Sequence, residues 1–326
     1  MPQNTAEALW YIGPGRAEIR EEKLGPLTPG HARVRALHGA LSRGTEALVL
    51  AGGVPESEFE RMRAPFMGGA FPFPVKYGYA TVGRVEAGPE KLVGRIVFTL
   101  HPHQSLFDVP AEAVVPVPDG VPPARATLAA NTETAINAVW DAAPKPADRI
   151  AIVGAGVVGA LVAFVLKEFV PDANVTLVDV NPSRAKLAQA FGVHFATPDA
   201  APTDCDLVVH TSATAAGLSS ALNLAADEAT ILELSWYGAG AVPVPLGGAF
   251  HSRRLRLVSS QVGKVAPSHR ATWAHRQRLA AAIELLADAR LDALFAPAVR
   301  FDDLPAQLPK ILAPGSGVLC QRIDYS

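Results

Sequence analysis

The stretch RIAIVGAGVVGALVAFVLKEF, residues 149–169, leaves few architectures open to a chain of 326 residues. An apolar run ends in Gly154, Ala155, Gly156, Val157, Val158 and Gly159, and a helix-forming pattern follows at once. Gly154 permits a tight turn, Gly156 lets backbone approach a pyrophosphate, and Gly159 lets the helix pack closely on the strand. The N–H groups of Val157 and Val158, at the helix start, point where phosphates would lie. Asp179 ends the next apolar run, twenty residues after Gly159. A carboxylate there accepts hydrogen bonds from both hydroxyls of an adenosine ribose.

Asp179 also bears on which dinucleotide is held. A 2′-phosphate would bring nearly two negative charges against it, so NAD(H) is expected over NADP(H). Arg184, five residues on, softens that preference.

Strand and helix patterns alternate from residue 149 onward. RIAIVG precedes a helix over roughly 157–170, and NVTLVDV precedes a helix from Pro182. DLVVHTSA, the helical AAGLSSALNLAA and ATILELSWYG follow, then LRLVSSQV and a long helix over SHRATWAHRQRLAAAIELLADA. Such alternation predicts α/β structure, a doubly wound parallel sheet covered by helices on both faces. The front of the chain reads differently. HARVRALHGALS, YATVGRVEA, GRIVFTL and AVVPVP are short, β-branched and cut by Gly and Pro, as in a β-rich domain. The prolines of PFMGGAFPFPVKYG exclude a long regular element there. Pro122 and Pro123 mark a helix start, and SGVLCQRIDYS reads as a closing strand. The expected division is a β-rich domain over residues 1–121 and 292–326, and a nucleotide domain over 122–291.

Composition narrows the classes further. The net charge is −2 and no basic run occurs, which argues against nucleic acid as a partner. The longest apolar stretch is interrupted by three glycines and too short to span a bilayer, so no membrane role is expected. Two distant cysteines, Cys205 and Cys320, and the lack of a signal-like N-terminus point to the cytoplasm.

A β-rich front, a crossing helix, the Gly154–Gly159 fingerprint, YGYATVGRVEAG before it and HSRRLRLVSSQVG after it resemble the medium-chain dehydrogenase/reductase superfamily. The resemblance implies a GroES-like catalytic domain, a Rossmann domain and an active site in the cleft between them. SRGTE and FPVKYGYATVGRV resemble the bacteriochlorophyllide dehydrogenase branch, which acts on a bulky tetrapyrrole and shows G-Y-E where this chain has Gly78-Tyr79-Ala80. The resemblance supports the fold and the zinc-free site and does not fix the substrate. Many members hold zinc through Cys, the His of G-H-E, and a further Cys or Glu. At the corresponding places this chain has Ser42, Gly78-Tyr79-Ala80, and Ala130 or Asn131. These do not make a tetrahedral N/S zinc site, and no zinc is expected. The other metal-binding side chains near by are His38, Glu46, His101 and His103, with His-Pro-His reading more readily as a structural loop.

The resemblance implies hydride transfer between an alcohol or carbonyl and the dinucleotide, with Ser42 and Tyr79 as hydrogen-bond donors. Tyr79 read blandly is packing at a domain junction. Arg43 either reaches the pyrophosphate or pairs with Glu46. Glu46 and Glu133 are acid–base candidates, although Glu133 reads more readily as an ion-pair or solvent-facing residue. Thr134 matches a nicotinamide-facing position, and Thr211, Ser212, Ser235, Trp236 and Tyr237 follow predicted strands, at strand ends where the cofactor is expected to lie. A zinc-free quinone or enone reductase and a catalytically silent nucleotide sensor are the rival readings. A homodimer is implied by the superfamily alone.

Overall fold

The computed structural model describes residues 4–325. The chain starts with the hairpin β1 (Thr5–Gly13) and β2 (Arg16–Lys23), then β3 (His31–Leu41) and α1 (Arg43–Ala51). Short strands follow: β4 (Gly68–Gly69), β5 (Val75–Lys76), β6 (Thr81–Ala87), β7 (Ile96–Thr99), β8 (Leu106–Pro110) and β9 (Val115–Pro116). Helices α2 (Pro123–Ala126) and α3 (Ala129–Ala142) lead to β10 (Arg149–Val153), α4 (Val157–Phe169) and β11 (Asn174–Val178). Next come α5 (Ala185–Phe191), β12 (His194–Ala196), β13 (Cys205–His210), α6 (Ala215–Leu224), β14 (Ala225–Glu233) and β15 (Arg256–Ser259). The chain closes with α7 (His275–Leu285), β16 (Phe295–Arg300), α8 (Leu304–Leu312) and β17 (Cys320–Asp324).

Packing divides the chain into two compact units. One runs to Ala130 and resumes at Leu279; the other is Asn131–Arg278. The first holds two sheets. A small one has the order β2-β1-β5-β4, and a larger one the order β16-β17-β3-β6-β7-β9, with β8 on β3. Ala32 and Val34 of β3 are buried with Val85, Val97, Phe107 and Val109. Arg33, pointing to the other face, is also buried, because its guanidinium grips Asp108 through two bonds of 2.8 Å. A bidentate charged pair of that kind lets an arginine stand at a core position.

The second unit is a six-stranded sheet of order β12-β11-β10-β13-β14-β15, every pairing parallel. Counted from β10, the order is 3-2-1-4-5-6, and the connections reverse direction between β10 and β13. Both faces are covered, so the strands are nearly continuous apolar runs, as RIAIV and NVTLV show. At the far edge, Leu257 and Val258 of β15 remain exposed.

Two expectations are corrected here. The long helix over residues 268–289 is confined to His275–Leu285. Upstream of it, the ring of His269 stacks on Trp140 at 4.1 Å, and Trp273 packs on the same ring at 5.1 Å. These aromatic contacts hold the segment in turns. The Gln277 side chain then accepts the Ala274 N–H at 2.8 Å, which starts the helix there. The helix from Pro182 opens as a 3₁₀ turn, Pro182–Arg184, with Asn181 accepting the Ser183 N–H. Strand β12, three residues long, was not anticipated.

Candidate functional site

In the second unit the glycines at the end of β10 each meet a different demand. Gly154 takes φ +109°, a conformation side chains disfavour, and its N–H donates to Val178 O at 2.8 Å. A Cβ on Gly159 would fall 1.9 Å from Gly154 O, so the turn and α4 touch there. Around Gly156, in contrast, a Cβ would meet nothing within 4 Å, which leaves the middle of the turn open to a ligand. Val157 and Val158 begin α4, both half-buried. Thr211 braces the turn from the end of β13, donating its hydroxyl to Gly154 O at 2.7 Å.

Asp179 stands just past β11. One carboxylate oxygen accepts the Ala155 N–H at 2.7 Å and the other the Asn181 N–H at 2.8 Å. The carboxylate is thereby fixed against the glycine turn. With about four acceptor sites on two oxygens, it retains capacity for further donors. Arg184 lies half-buried in the 3₁₀ turn that follows. Thr134 is half-buried on α3. Trp236 and Tyr237 are half-buried beyond β14, and the Tyr237 hydroxyl donates to Glu233 at 3.1 Å. Burial, then the Glu233 charge and hydrogen bond, push the Tyr237 phenol up to about 12. Glu133 is buried against Arg278 at 3.0 Å. Burial raises its carboxyl, with Arg278 pulling the other way.

The first unit brings Ser42, Tyr79 and Glu46 together. Ser42 precedes α1, and the Tyr79 hydroxyl donates to Ser42 Oγ, with Thr45 Oγ1 at 3.2 Å. Burial raises the Tyr79 phenol pKa, while the Ser42 and Thr45 hydrogen bonds act to lower it. The net rise leaves the phenol a protonated donor at neutral pH. Glu46, one turn into α1, is fully buried. One oxygen accepts the Ser42 N–H at 2.8 Å. The other accepts the Tyr11 hydroxyl at 2.5 Å and lies 3.0 Å from His103 Nε2. Sequence reasoning grouped His103 with Glu46 only as a candidate metal ligand and missed Tyr11, to which nothing local to Glu46 points. Arg43 is bound elsewhere. Its guanidinium donates to Ile311 O and Ala313 O, each at 3.1 Å, and to Val318 O. It thus caps the C-terminal end of α8, where a cation opposes the helix dipole.

The histidines considered for a metal are likewise engaged. His101 is buried, stacked on Phe107 at 3.8 Å and bonded to Pro102 O at 2.9 Å. Burial brings its pKa down to about 3. His38 pairs with Asp324 at 2.7 Å. In the Phe66–Phe73 loop, Phe71 is buried between Phe59 and Tyr77, whereas Phe66 is exposed over His101.

No protein-family model matches the sequence, and the comparison with curated proteins finds no match. Solved structures do match over nearly the whole length. L-idonate 5-dehydrogenase from Escherichia coli K-12 is 14% identical, with TM-score 0.79 over 98% of each chain. A short chain alcohol dehydrogenase from E. coli CFT073, complexed with NADH, is 15% identical, with TM-score 0.78 over 99% of this chain and all of that one. A putative zinc-binding dehydrogenase from Sinorhizobium meliloti 1021, bound to NADP, is 18% identical, with TM-score 0.77 over 99% and 100% of the two chains. The chain has the two-domain fold of the zinc-type alcohol dehydrogenases, a GroES-like unit with a Rossmann unit.

That fold often carries zinc, so the donor set matters. Ser42 and Tyr79 offer a hydroxyl and a phenol already hydrogen-bonded to each other. Among the described residues, no three His, Cys, Asp or Glu side chains group to hold a metal ion. The residues present do not fit a tetrahedral zinc site.

Proposed function

We propose that this chain is an NAD(H)-dependent oxidoreductase that interconverts an alcohol and a carbonyl without catalytic zinc. The observation that carries the reading is the open turn at Gly156 with Asp179 fixed beside it by the Ala155 N–H. The backbone of Gly156, Val157 and Val158 would hold the pyrophosphate, and Asp179 the adenosine ribose. Thr134, Trp236 and Tyr237 complete the proposed cofactor set. A bound nicotinamide supplies or accepts the hydride. In the first unit, Tyr79 and Ser42 hold the proton that the substrate oxygen exchanges. Glu46, with both oxygens turned to buried donors, positions Ser42 and is given no direct part in the chemistry. The exposed Phe66 and the sequence resemblance favour a bulky, apolar substrate.

The test is NADH oxidation by purified, tag-free protein across ketones, aldehydes, quinones and enones, with metal content read by mass spectrometry. Turnover of a carbonyl at substoichiometric zinc is the expected result. One tight zinc per chain would overturn the metal-free mechanism. NADH binding with no turnover across the panel would replace the enzyme reading with a nucleotide sensor.

Asp179→Ser is expected to weaken NADH binding ten- to a hundredfold, about 1.4–2.7 kcal/mol. Removal of the charge also raises relative affinity for NADPH, because a 2′-phosphate no longer meets a carboxylate. Titration calorimetry with both cofactors measures this. Unchanged affinities would show that Asp179 braces the turn and does not touch the ribose.

A further inference from the structure

At the ends of β13 and β14, three side chains form a line. Ser212 Oγ lies 2.7 Å from His210 Nε2, and His210 Nδ1 lies 2.7 Å from Glu233 Oε2. The same Glu233 accepts the Tyr237 hydroxyl at 3.1 Å and the Ser235 N–H at 2.7 Å. Burial acts to raise the Glu233 carboxyl, but the bonds from His210 and Ser235 outweigh it and hold the pKa below the usual range. Glu233 is therefore an anion that only accepts.

Donor counting then fixes the direction of every bond. The anion requires a proton on His210 Nδ1, and in that tautomer Nε2 carries a bare lone pair. That lone pair must accept, and the Ser212 hydroxyl is what it faces. Thr214 Oγ1, 3.0 Å from Ser212 Oγ, already accepts the Gly217 N–H at 3.0 Å. Its own proton is thus free to point at Ser212 Oγ. The chain runs from the Thr214 hydroxyl to the Ser212 hydroxyl to the imidazole to the carboxylate. Ser212 gives its proton to a base, receives a bond that would steady an alkoxide, and retains a lone pair. His210 is fully buried but Ser212 only half-buried. The next residue, Ala213, sits at φ +52°, a conformation that alanine disfavours. Gly217 leaves room for the pair, since a Cβ there would lie 2.0 Å from Ser212 Oγ.

We propose that Ser212 is an activated nucleophile toward small activated esters or thioesters, with His210 as its general base and Glu233 orienting the imidazole. This hydroxyl–imidazole–carboxylate arrangement is the one that performs acyl transfer on unrelated folds. Ser212 Oγ attacks the acyl carbon, forming the O–C bond as its proton passes to His210 Nε2. Collapse breaks the bond to the leaving oxygen or sulfur, which takes that proton. Water then attacks the acyl-serine in the same way, releasing the acid and restoring the hydroxyl. The chemistry itself consumes no dinucleotide.

The full-length protein, treated with a fluorophosphonate probe and mapped by peptide mass spectrometry, tests this. A single adduct is expected on Ser212, with loss of fluoride, and none in Ser212→Ala. His210→Gln is expected to label at least about a hundredfold more slowly. Glu233 orients the imidazole, so Glu233→Gln is expected to label more slowly than wild type as well. No adduct on Ser212, or an unchanged rate in His210→Gln, would overturn the proposal. Should His210→Gln fail to fold, an unchanged labelling rate in Glu233→Gln overturns it equally.

Discussion

Glu46→Ala is expected to destabilise the first unit by about 3–5 kcal/mol, the scale seen when one member of a buried charged network is removed. The carboxylate is 0% exposed, as are the side chains of Tyr11 and His103 that it bonds. Removal leaves the Tyr11 hydroxyl, the His103 Nε2 group and the Ser42 N–H without their acceptor. Each unsatisfied buried group costs about 1–3 kcal/mol, and water entering the vacated space recovers part of the sum. Glu46→Gln is the sharper probe. It fills the same volume but replaces one acceptor oxygen with an amide that the Ser42 N–H or the Tyr11 hydroxyl must face, so a loss of stability is expected there too. Denaturant unfolding, read at the first transition, measures both variants. If Glu46 instead served as an acid–base group, Glu46→Gln would lose turnover while its unfolding midpoint stayed within about 0.5 kcal/mol of wild type. That outcome would remove the positioning role assigned here.

The same residue shows what could and could not be read from sequence. SRGTE places a carboxylate one turn into a helix, but its partners lie 35 and 57 residues away. No periodicity or motif reports a contact at that separation. The glycine turn was legible because its constraints are local. A tight turn, an open approach and a close helix contact fall on Gly154, Gly156 and Gly159 within six residues. The parallel sheet was legible for a related reason, since a strand buried on both faces must be a continuous apolar run. The failures follow the same logic. Residues 268–274 have a helical texture, but stacking on Trp140, more than 120 residues earlier, decides their conformation. Arg43 also donates to carbonyls near the C-terminus, more than 260 residues away, which no sequence pattern reports. His210 and Glu233 drew no notice as a pair, because adjacent parallel strands in register juxtapose them although they stand 23 positions apart.

Tyr79→Phe is expected to lower kcat by about 10²–10³-fold on the carbonyl that wild-type protein reduces, with NADH affinity unchanged. The size follows from the chemistry of the donor set. Where a Lewis acid is missing, a hydrogen bond aimed at the developing alkoxide has to stabilise it, and one such donor contributes about 2.7–4 kcal/mol. Tyr79 suits the task because burial keeps its phenol protonated and its hydroxyl is held by Ser42 and Thr45. Phenylalanine preserves the edge contact with the Tyr77 ring, 6.0 Å between centroids, so folding should be spared. Ser42→Ala should cost less, since Tyr79 keeps Thr45 as a partner. The loss must appear in kcat, because the bond strengthens only as charge develops on oxygen. Full activity in Tyr79→Phe would mean that the substrate needs no such help. A quinone or conjugated enone, already primed for hydride, would then be the substrate class.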